Sequence, residues 1–378
     1  MNSKKKFKIA VVIPKYGLVG GGERFVRELT ERIAADHRYD VHVFANKWSS
    51  QCDHIAFHKI SIITFPRFLT TISFAWFANR KIAKMNFDII HTHDRIFYAD
   101  LFTMHGVPHR FWVKKVRRKN MSLFDYGTSW VEKSLIRKGN CQVFLPVSNL
   151  AKDKFIQEFG VDPGKVQVVH PGVDIGRFDK LDRKSCRDEI RARFKIGEAD
   201  TVLLFVGMNF ELKGLGNLIA AVGMIKSKQL PDRLKLLVVG KGDSKKYHRL
   251  AEKAGIKNDV IFAGVWAEHI EHIYMAADIF AMPSGFDTFG MVVLEAMSAS
   301  LPVIISDTVG AMDLVKEGIN GFVVEKNDIG SMSSKIEFML DKEKRENLAK
   351  EAHKTAAKNT WDLMADRIIR IYEKFTGV

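Results

Sequence analysis

Val202-Leu203-Leu204-Phe205-Val206-Gly207 is an apolar run closed by a glycine, and it follows a polar, charge-rich stretch from Asp174 to Asp200. A run this short and this apolar, bounded by turn residues, reads as a strand buried on both faces of a parallel sheet. An earlier counterpart, Ile9-Ala10-Val11-Val12-Ile13, leads through Gly20-Gly21-Gly22-Glu23 into a helical stretch from Arg24 to Ala34, where Phe25, Leu29 and Ile33 keep helical spacing. The same strand-to-helix grammar thus starts twice, and it continues after each start. Val41 to Phe44, Phe87 to His91 and Gln142 to Pro146 follow the first. A helix near Leu215 to Lys226 and strands at Leu234 to Val239, Val260 to Phe262, Ile279 to Met282 and Val303 to Ile305 follow the second. Strands alternating with helices predict an α/β fold of doubly wound parallel sheets. The expected organisation is an N-terminal Rossmann-like domain over 1–175, a second over 176–360, and a final helix in 361–378 that packs back on the first.

Length agrees, because 378 residues are too many for one ordinary domain. Fifty-nine basic against 44 acidic residues leave a net charge of +15, which favours an anionic partner. Cys52, Cys141 and Cys186 are far apart and form no C-x-x-C, which argues against a disulfide framework or thiolate zinc site and for a reducing compartment. Met1 to Lys8 is basic and precedes an apolar run, but Pro14 ends that run too soon for a signal peptide. Phe65 to Phe77 is interrupted by Pro66, Arg67 and Thr70-Thr71 and falls short of the roughly 20 apolar residues a spanning helix needs. The expectation is a soluble or peripheral protein.

Ligands of open α/β sheets bind beyond the carboxyl ends of the strands, so the residues after each strand are the ones to inspect. Gly20 to Gly22 would let backbone N–H groups approach an oxyanion at a helix start, although a tight turn accounts for the same glycines. No G-K-S or G-K-T follows, which excludes a P-loop. Gly240-Lys241-Gly242-Asp243 has Lys245 where a dinucleotide fingerprint needs its third glycine, so it reads as a plain turn. Pro283-Ser284-Gly285-Phe286-Asp287-Thr288-Phe289-Gly290 follows a strand and opens a helix containing Glu295, placing one carboxylate before that helix and one inside it. An N-capping Asp with an ordinary helical Glu accounts for the same spacing.

Pro283-Ser284, Asp287, Phe289-Gly290 and Leu294-Glu295-Ala296-Met297 together resemble the signature of retaining, nucleotide-sugar-dependent glycosyltransferases of the GT-B fold, family four. Gly20-Gly21-x-Glu23, Val147-Ser148, His170-Pro171-Gly172-Val173-Asp174 with Phe178, Phe205-Val206-Gly207 with Lys213-Gly214, and Gly318 to Val323 resemble further family motifs, in order along the chain. The resemblance implies two Rossmann-like domains facing across a cleft. It implies Lys213, Asp287 and His105 as catalytic residues, and Gly20, Gly21, Asn209, Lys213, Phe289, Gly290 and Glu295 as donor-binding residues, with Glu295 on the ribose. Asp287 stands where the family has a glutamate, and Met208-Asn209 where it often has an arginine. A catalytically silent nucleotide- or glycan-binding subunit is the alternative these departures suggest. Retention by same-face attack is likewise implied by the family.

No cofactor is expected, and since no Asp-x-Asp triplet occurs, protein cations are expected to take the place of a metal at the diphosphate. His91 and His93 read as structural or acceptor-side residues rather than metal ligands. Arg110, Trp112, Lys114, Lys115, Arg117 and Arg118 set cations beside an aromatic, and Phe65 to Lys84 adds more of both. Such a face suits an anionic membrane surface or a glycolipid acceptor, and a solvated charge run over core aromatics has the same composition. No nucleic-acid module accompanies it. This N-terminal half, with Trp130-Val131-Glu132-Lys133, is similar to glucosyltransferases that start the outer core of bacterial lipopolysaccharide. That likeness implies UDP-glucose as donor, a mannosyl- or other hexosyltransferase being the alternative, and a peripheral location on the cytoplasmic face of the inner membrane.

Overall fold

The apolar runs form strands in the computed structural model, which describes residues 6–18, 20–137, 139–228, 234–266 and 268–376. The basic start of the chain up to Lys5 lies outside them. Two compact units result: one runs up to Gly172 and takes in the helix from Trp361, and the other is Val173–Thr360.

In the first unit six strands, β1 (Phe7–Val12), β2 (Tyr39–Ala45), β3 (Ile55–Lys59), β4 (Ile89–Thr92), β5 (Leu101–Met104) and β6 (Val143–Pro146), make a parallel sheet in the order β3-β2-β1-β4-β5-β6. In the second, β7 (Thr201–Gly207), β8 (Leu234–Gly240), β9 (Val260–Gly264), β10 (Ile279–Met282), β11 (Val303–Ser306) and β12 (Gly321–Val324) repeat that order as β9-β8-β7-β10-β11-β12. Both are doubly wound sheets whose strand order reverses beside the first strand, where ligand crevices form. The expected fold class is therefore the observed one.

Strands β7 and β10 are buried along nearly their whole length, which is why their sequences read as continuous apolar runs. Three strands of these two sheets escaped the sequence reading. β3 is an edge strand whose polar and apolar residues alternate poorly, β5 is only four residues long, and β12 begins inside Gly318 to Val323, which reads as a glycine loop, and ends at Val324. The last helix, Trp361–Thr376, lies against the Gly21–Ala35 helix of the first unit: Trp361 meets Phe25 edge-on, and Arg32 and Arg38 pair with Asp362 and Glu373. No helix among the described residues is long and apolar enough to cross a membrane.

Candidate functional site

Each unit carries polar groups at the carboxyl ends of its strands, and the two sets differ in kind. In the second unit, Lys213 follows β7 on a tight turn in which Asn209 Oδ1 accepts from the Leu212 N–H and the Asn209 carbonyl accepts from the Lys213 N–H. Gly207 is required here because a Cβ on it would lie 2.9 Å from Lys213 Cγ, so the lysine stem rests on bare backbone. Gly214 has φ +78°, and a Cβ there would run into the Pro283 carbonyl oxygen at 1.9 Å. Its lack of a side chain lets the Lys213 turn dock on the segment after β10, where Gly285 N–H and Ser284 Oγ both donate to the Leu212 carbonyl.

That docking brings Lys213 Nζ onto Asp287 Oδ2 as a direct ion pair. Asp287 is fixed through its backbone, its N–H donating to the Thr308 carbonyl and its carbonyl accepting from Gly310 N–H. Its side chain takes the Phe289 N–H at 3.3 Å and does not cap the next helix. Gly290 is the N-cap, and the helix runs Met291–Ser298. Phe289 and Gly290 are buried just ahead of that helix start, the end of a helix that favours an anion. Glu295, on the second turn, accepts from the Tyr274 hydroxyl at 3.1 Å. Tyr274 carries no sequence signal, because it comes from a neighbouring helix, Ile270–Ala276. Lys213, Asp287, Phe289, Gly290 and Glu295 thus converge at one end of one sheet, whereas Asn209 is exposed and spends its side-chain oxygen holding the Lys213 turn. Gly240 to Asp243 is a turn, with Asp243 capping the helix Ser244–Lys253.

The first unit places neutral imidazoles at the equivalent end. His91 and His93 on and after β4, and Thr103 and His105 on and after β5, alternate so that all four face the same side of the sheet. His91 is fully buried between Thr103 Oγ1 at 2.7 Å and the Tyr372 hydroxyl at 2.6 Å. His93 Nδ1 lies 3.1 Å from His105 Nε2, the rings stacked, and Phe25 meets His105 edge-on at 4.9 Å. Burial depresses all three: His91 to about 3, helped by repulsion from His105, His105 to about 4, and His93 well below the usual range. His91 is thereby structural. Among the described residues no cluster of potential metal ligands occurs.

A cavity of about 390 Å³ opens beside these rings, lined also by Gly22, Glu23, Lys15, Arg95 and Glu132. Sequence reasoning missed Arg95. Its guanidinium pairs with buried Glu132 at 2.9 Å, and Glu132 also accepts from His109 N–H. Gly20 caps the Gly21–Ala35 helix without side-chain help.

Arg110, Lys114, Lys115, Arg117 and Arg118 are exposed on and just after the short helical segments His109–Phe111 and Trp112–Val116, while Trp112 itself is half-buried. The exposed apolar groups are others. Phe65 is 87% exposed, Leu123 74%, Tyr126 62% and Trp130 54%, with Trp76 and Phe68 also open. The Leu69–Ile82 and Leu123–Arg137 helices meet where Arg67, just before the first, stacks over Phe124 and Thr71 bonds Thr128.

Comparison with known proteins follows this division. Residues 19–177 match the family Glycosyltransferase Family 4, and residues 186–355 match Glycosyl transferases group 1. An uncharacterized glycosyltransferase of Methanocaldococcus jannaschii is 27% identical over 97% of this chain and 98% of its own. A D-inositol 3-phosphate glycosyltransferase of Geodermatophilus obscurus is 31% identical over 60% of this chain, which spans only 51% of that relative. Among solved structures, WaaG, a glycosyltransferase involved in lipopolysaccharide biosynthesis, superposes with TM-score 0.77 at 20% identity over 98% of this chain and 100% of its own. Anabaena HepE in complex with UDP-glucose does so with TM-score 0.73 at 18% identity over 97% and 99%.

Proposed function

We propose, on the premise that this chain belongs to the GT-B glycosyltransferases whose family 4 and group 1 domains it carries, that it moves a hexose from a nucleoside diphosphate sugar to a cell-envelope glycolipid. The observation that carries the reading is the Lys213–Asp287 pair beside the Met291–Ser298 helix start. UDP-glucose is the favoured donor, a preference supported by the fold shared with HepE, which was solved with that molecule. Lipopolysaccharide core is the favoured acceptor, supported by the fold shared with WaaG.

The chemistry follows from charge. Breaking the bond between sugar and diphosphate leaves negative charge on the leaving group and oxocarbenium character on the sugar. In this reading the diphosphate draws Lys213 from Asp287 and takes the N–H groups at Phe289 and Gly290, so the leaving group meets groups already oriented toward it. The released Asp287 carboxylate accepts from a sugar hydroxyl, and Glu295, steadied by Tyr274, takes the ribose hydroxyls. His105, kept neutral by burial, is suited to a hydrogen bond with a sugar hydroxyl and not to acid catalysis. Retention requires the acceptor hydroxyl to attack on the face the diphosphate leaves. No metal has a part in this reading. In this reading the exposed Phe65, Leu123, Tyr126 and Trp130, with Arg67 and the cations from Arg110 to Arg118, serve as the contact with the cytoplasmic surface of an anionic membrane.

A second reading has one specific support, the 31% identity to a D-inositol 3-phosphate glycosyltransferase: the acceptor is then a soluble phosphorylated polyol. The test is release of nucleoside diphosphate from UDP-glucose and other nucleotide sugars with each acceptor class present. Release with the glycolipid, lost in Glu295→Ala, supports the first reading, and release only with the polyol phosphate supports the second. Tight donor binding without turnover on any acceptor makes the chain a silent binding subunit.

A further inference from the structure

Asp287 meets Lys213 only where its own backbone puts it. A lysine has a long stem and many rotamers, whereas an aspartate has two side-chain torsions and carries its carboxylate close to the main chain. The place of that carboxylate is therefore set by the segment after β10, and this segment is gripped from the end of β11.

Two hydroxyls there share one acceptor. Ser306 Oγ donates to the Ser284 carbonyl at 2.6 Å, and Thr308 Oγ1 donates to the same oxygen at 2.7 Å. The Thr308 carbonyl in turn accepts from Asp287 N–H at 2.9 Å, and Gly310 N–H donates to the Asp287 carbonyl at 3.0 Å, so that Asp287 and Val309 form a parallel bridge. Thr308 thus holds both ends of Ser284–Asp287, one with its side chain and the other with its main chain. From the Lys213 turn, the Leu212 carbonyl accepts from Gly285 N–H at 2.6 Å and has the Ser284 hydroxyl at 3.0 Å. Ser284 and Ser306 are 0% and 1% exposed, so bulk water does not compete for these bonds.

One of the two hydroxyls is more than pairing requires. Ser306 alone satisfies the Ser284 carbonyl, so removing the other leaves no buried acceptor unpaired. A carbonyl oxygen has two lone pairs, however, and a donor on each fixes the direction of the peptide as well as its pairing. Direction at Ser284 is what the chain hands on to Asp287, three residues along.

We propose, on the transferase reading above, that Thr308 is a positioning residue for the transfer: through the Ser284 carbonyl and the Asp287 backbone it fixes where the Asp287 carboxylate stands once Lys213 has left it for the diphosphate. Thr308 needs no contact with donor or acceptor to do so. Its hydroxyl bears on the sugar that Asp287 steadies and not on the diphosphate that Lys213 holds, which separates turnover from nucleotide binding.

The test is release of nucleoside diphosphate from the nucleotide sugar that wild type turns over, UDP-glucose first, beside calorimetric binding of UDP. Thr308→Val should lower kcat by roughly tenfold, since displacement of a positioned group by a fraction of an ångström is enough, with donor KM, UDP affinity and urea midpoint unchanged. Thr308→Ser should restore the rate. In an Asp287→Ala background Thr308→Val should cost nothing more, because the carboxylate it acts through is gone. Should Thr308→Val fail to fold, Thr308→Ala, which sets no methyl against the Ser284 carbonyl, decides on the same terms. A wild-type kcat without the hydroxyl, a Thr308→Ser variant as slow as Thr308→Val, or a full further loss in the Asp287→Ala background overturns the proposal while the transferase reading stands. A wild type that turns over no nucleotide sugar overturns the reading and the proposal with it.

Discussion

The two sheets have one strand order and opposite chemistry at their carboxyl ends. In the second unit a lysine and an aspartate confront each other beside a helix start. In the first, three imidazoles are held neutral by burial, and Arg95 and Glu132 in the adjoining cavity pair with one another. The shared backbone plan therefore decides where polar groups gather, and the residues after each strand decide what they do. One end can answer an arriving diphosphate. The other sets neutral imidazoles beside a cavity whose wall also carries Lys15, Glu23 and the Arg95–Glu132 pair.

Removing charge from the second unit should have the largest effect. Lys213→Ala should lower kcat by roughly 10²- to 10³-fold, as loss of one oriented donor to a developing anion does, measured as nucleoside diphosphate release. EDTA should leave the wild-type rate unchanged; a rate that collapses on chelation would show that a metal shares the work of Lys213. In the first unit charge has a structural part. Glu132→Gln would leave the Arg95 guanidinium with Asp94, at 3.6 Å, as its remaining carboxylate partner and should cost about 2 kcal/mol of stability, read from the urea midpoint.

The imidazoles sharpen the contrast through pH. His91 and His105 have folded pKa values of about 3 and about 4, below the ordinary 6.5. The unfolded chain therefore binds more protons between those limits. The stability they contribute is complete above pH 6.5 and is lost as pH falls toward 4, by about 2 kcal/mol per imidazole between pH 7 and pH 5. His91→Asn should flatten that slope, and a slope unchanged by the substitution would show that His91 does not titrate with unfolding. The smallest effect belongs to the amphipathic face. Leu123→Glu/Trp130→Glu should weaken binding to anionic vesicles by roughly tenfold, and wild-type binding should fall with salt. Equal binding at low and high salt would remove the basic residues from the account.

Much of this plan is visible in the chain itself, for a stated physical reason. Strands buried on both faces, such as Val202 to Gly207 and Ile279 to Met282, must be apolar throughout, and the glycine-bearing turns after them stand out. Edge strand Ile55–Lys59 has no such obligation and is lost in the surrounding polar sequence. The grouping of Lys213, Asp287 and Glu295 was legible because these residues sit in short motifs after strands. Tyr274 and Arg95 were not, because each reaches its carboxylate from another element. Leu123, Tyr126 and Trp130 keep helical spacing, the pattern of a core stripe, and only the folded chain shows that this stripe points to solvent.

The return of the Trp361–Thr376 helix to the first unit has a consequence for biosynthesis. Val173–Thr360 is one unbroken stretch and can complete its sheet as soon as it leaves the ribosome. The first unit begins earlier but lacks the Tyr372 hydroxyl for His91 and the Trp361 ring for Phe25 until the Trp361–Thr376 helix emerges. The half of the protein that is made first is thus the half that is finished last.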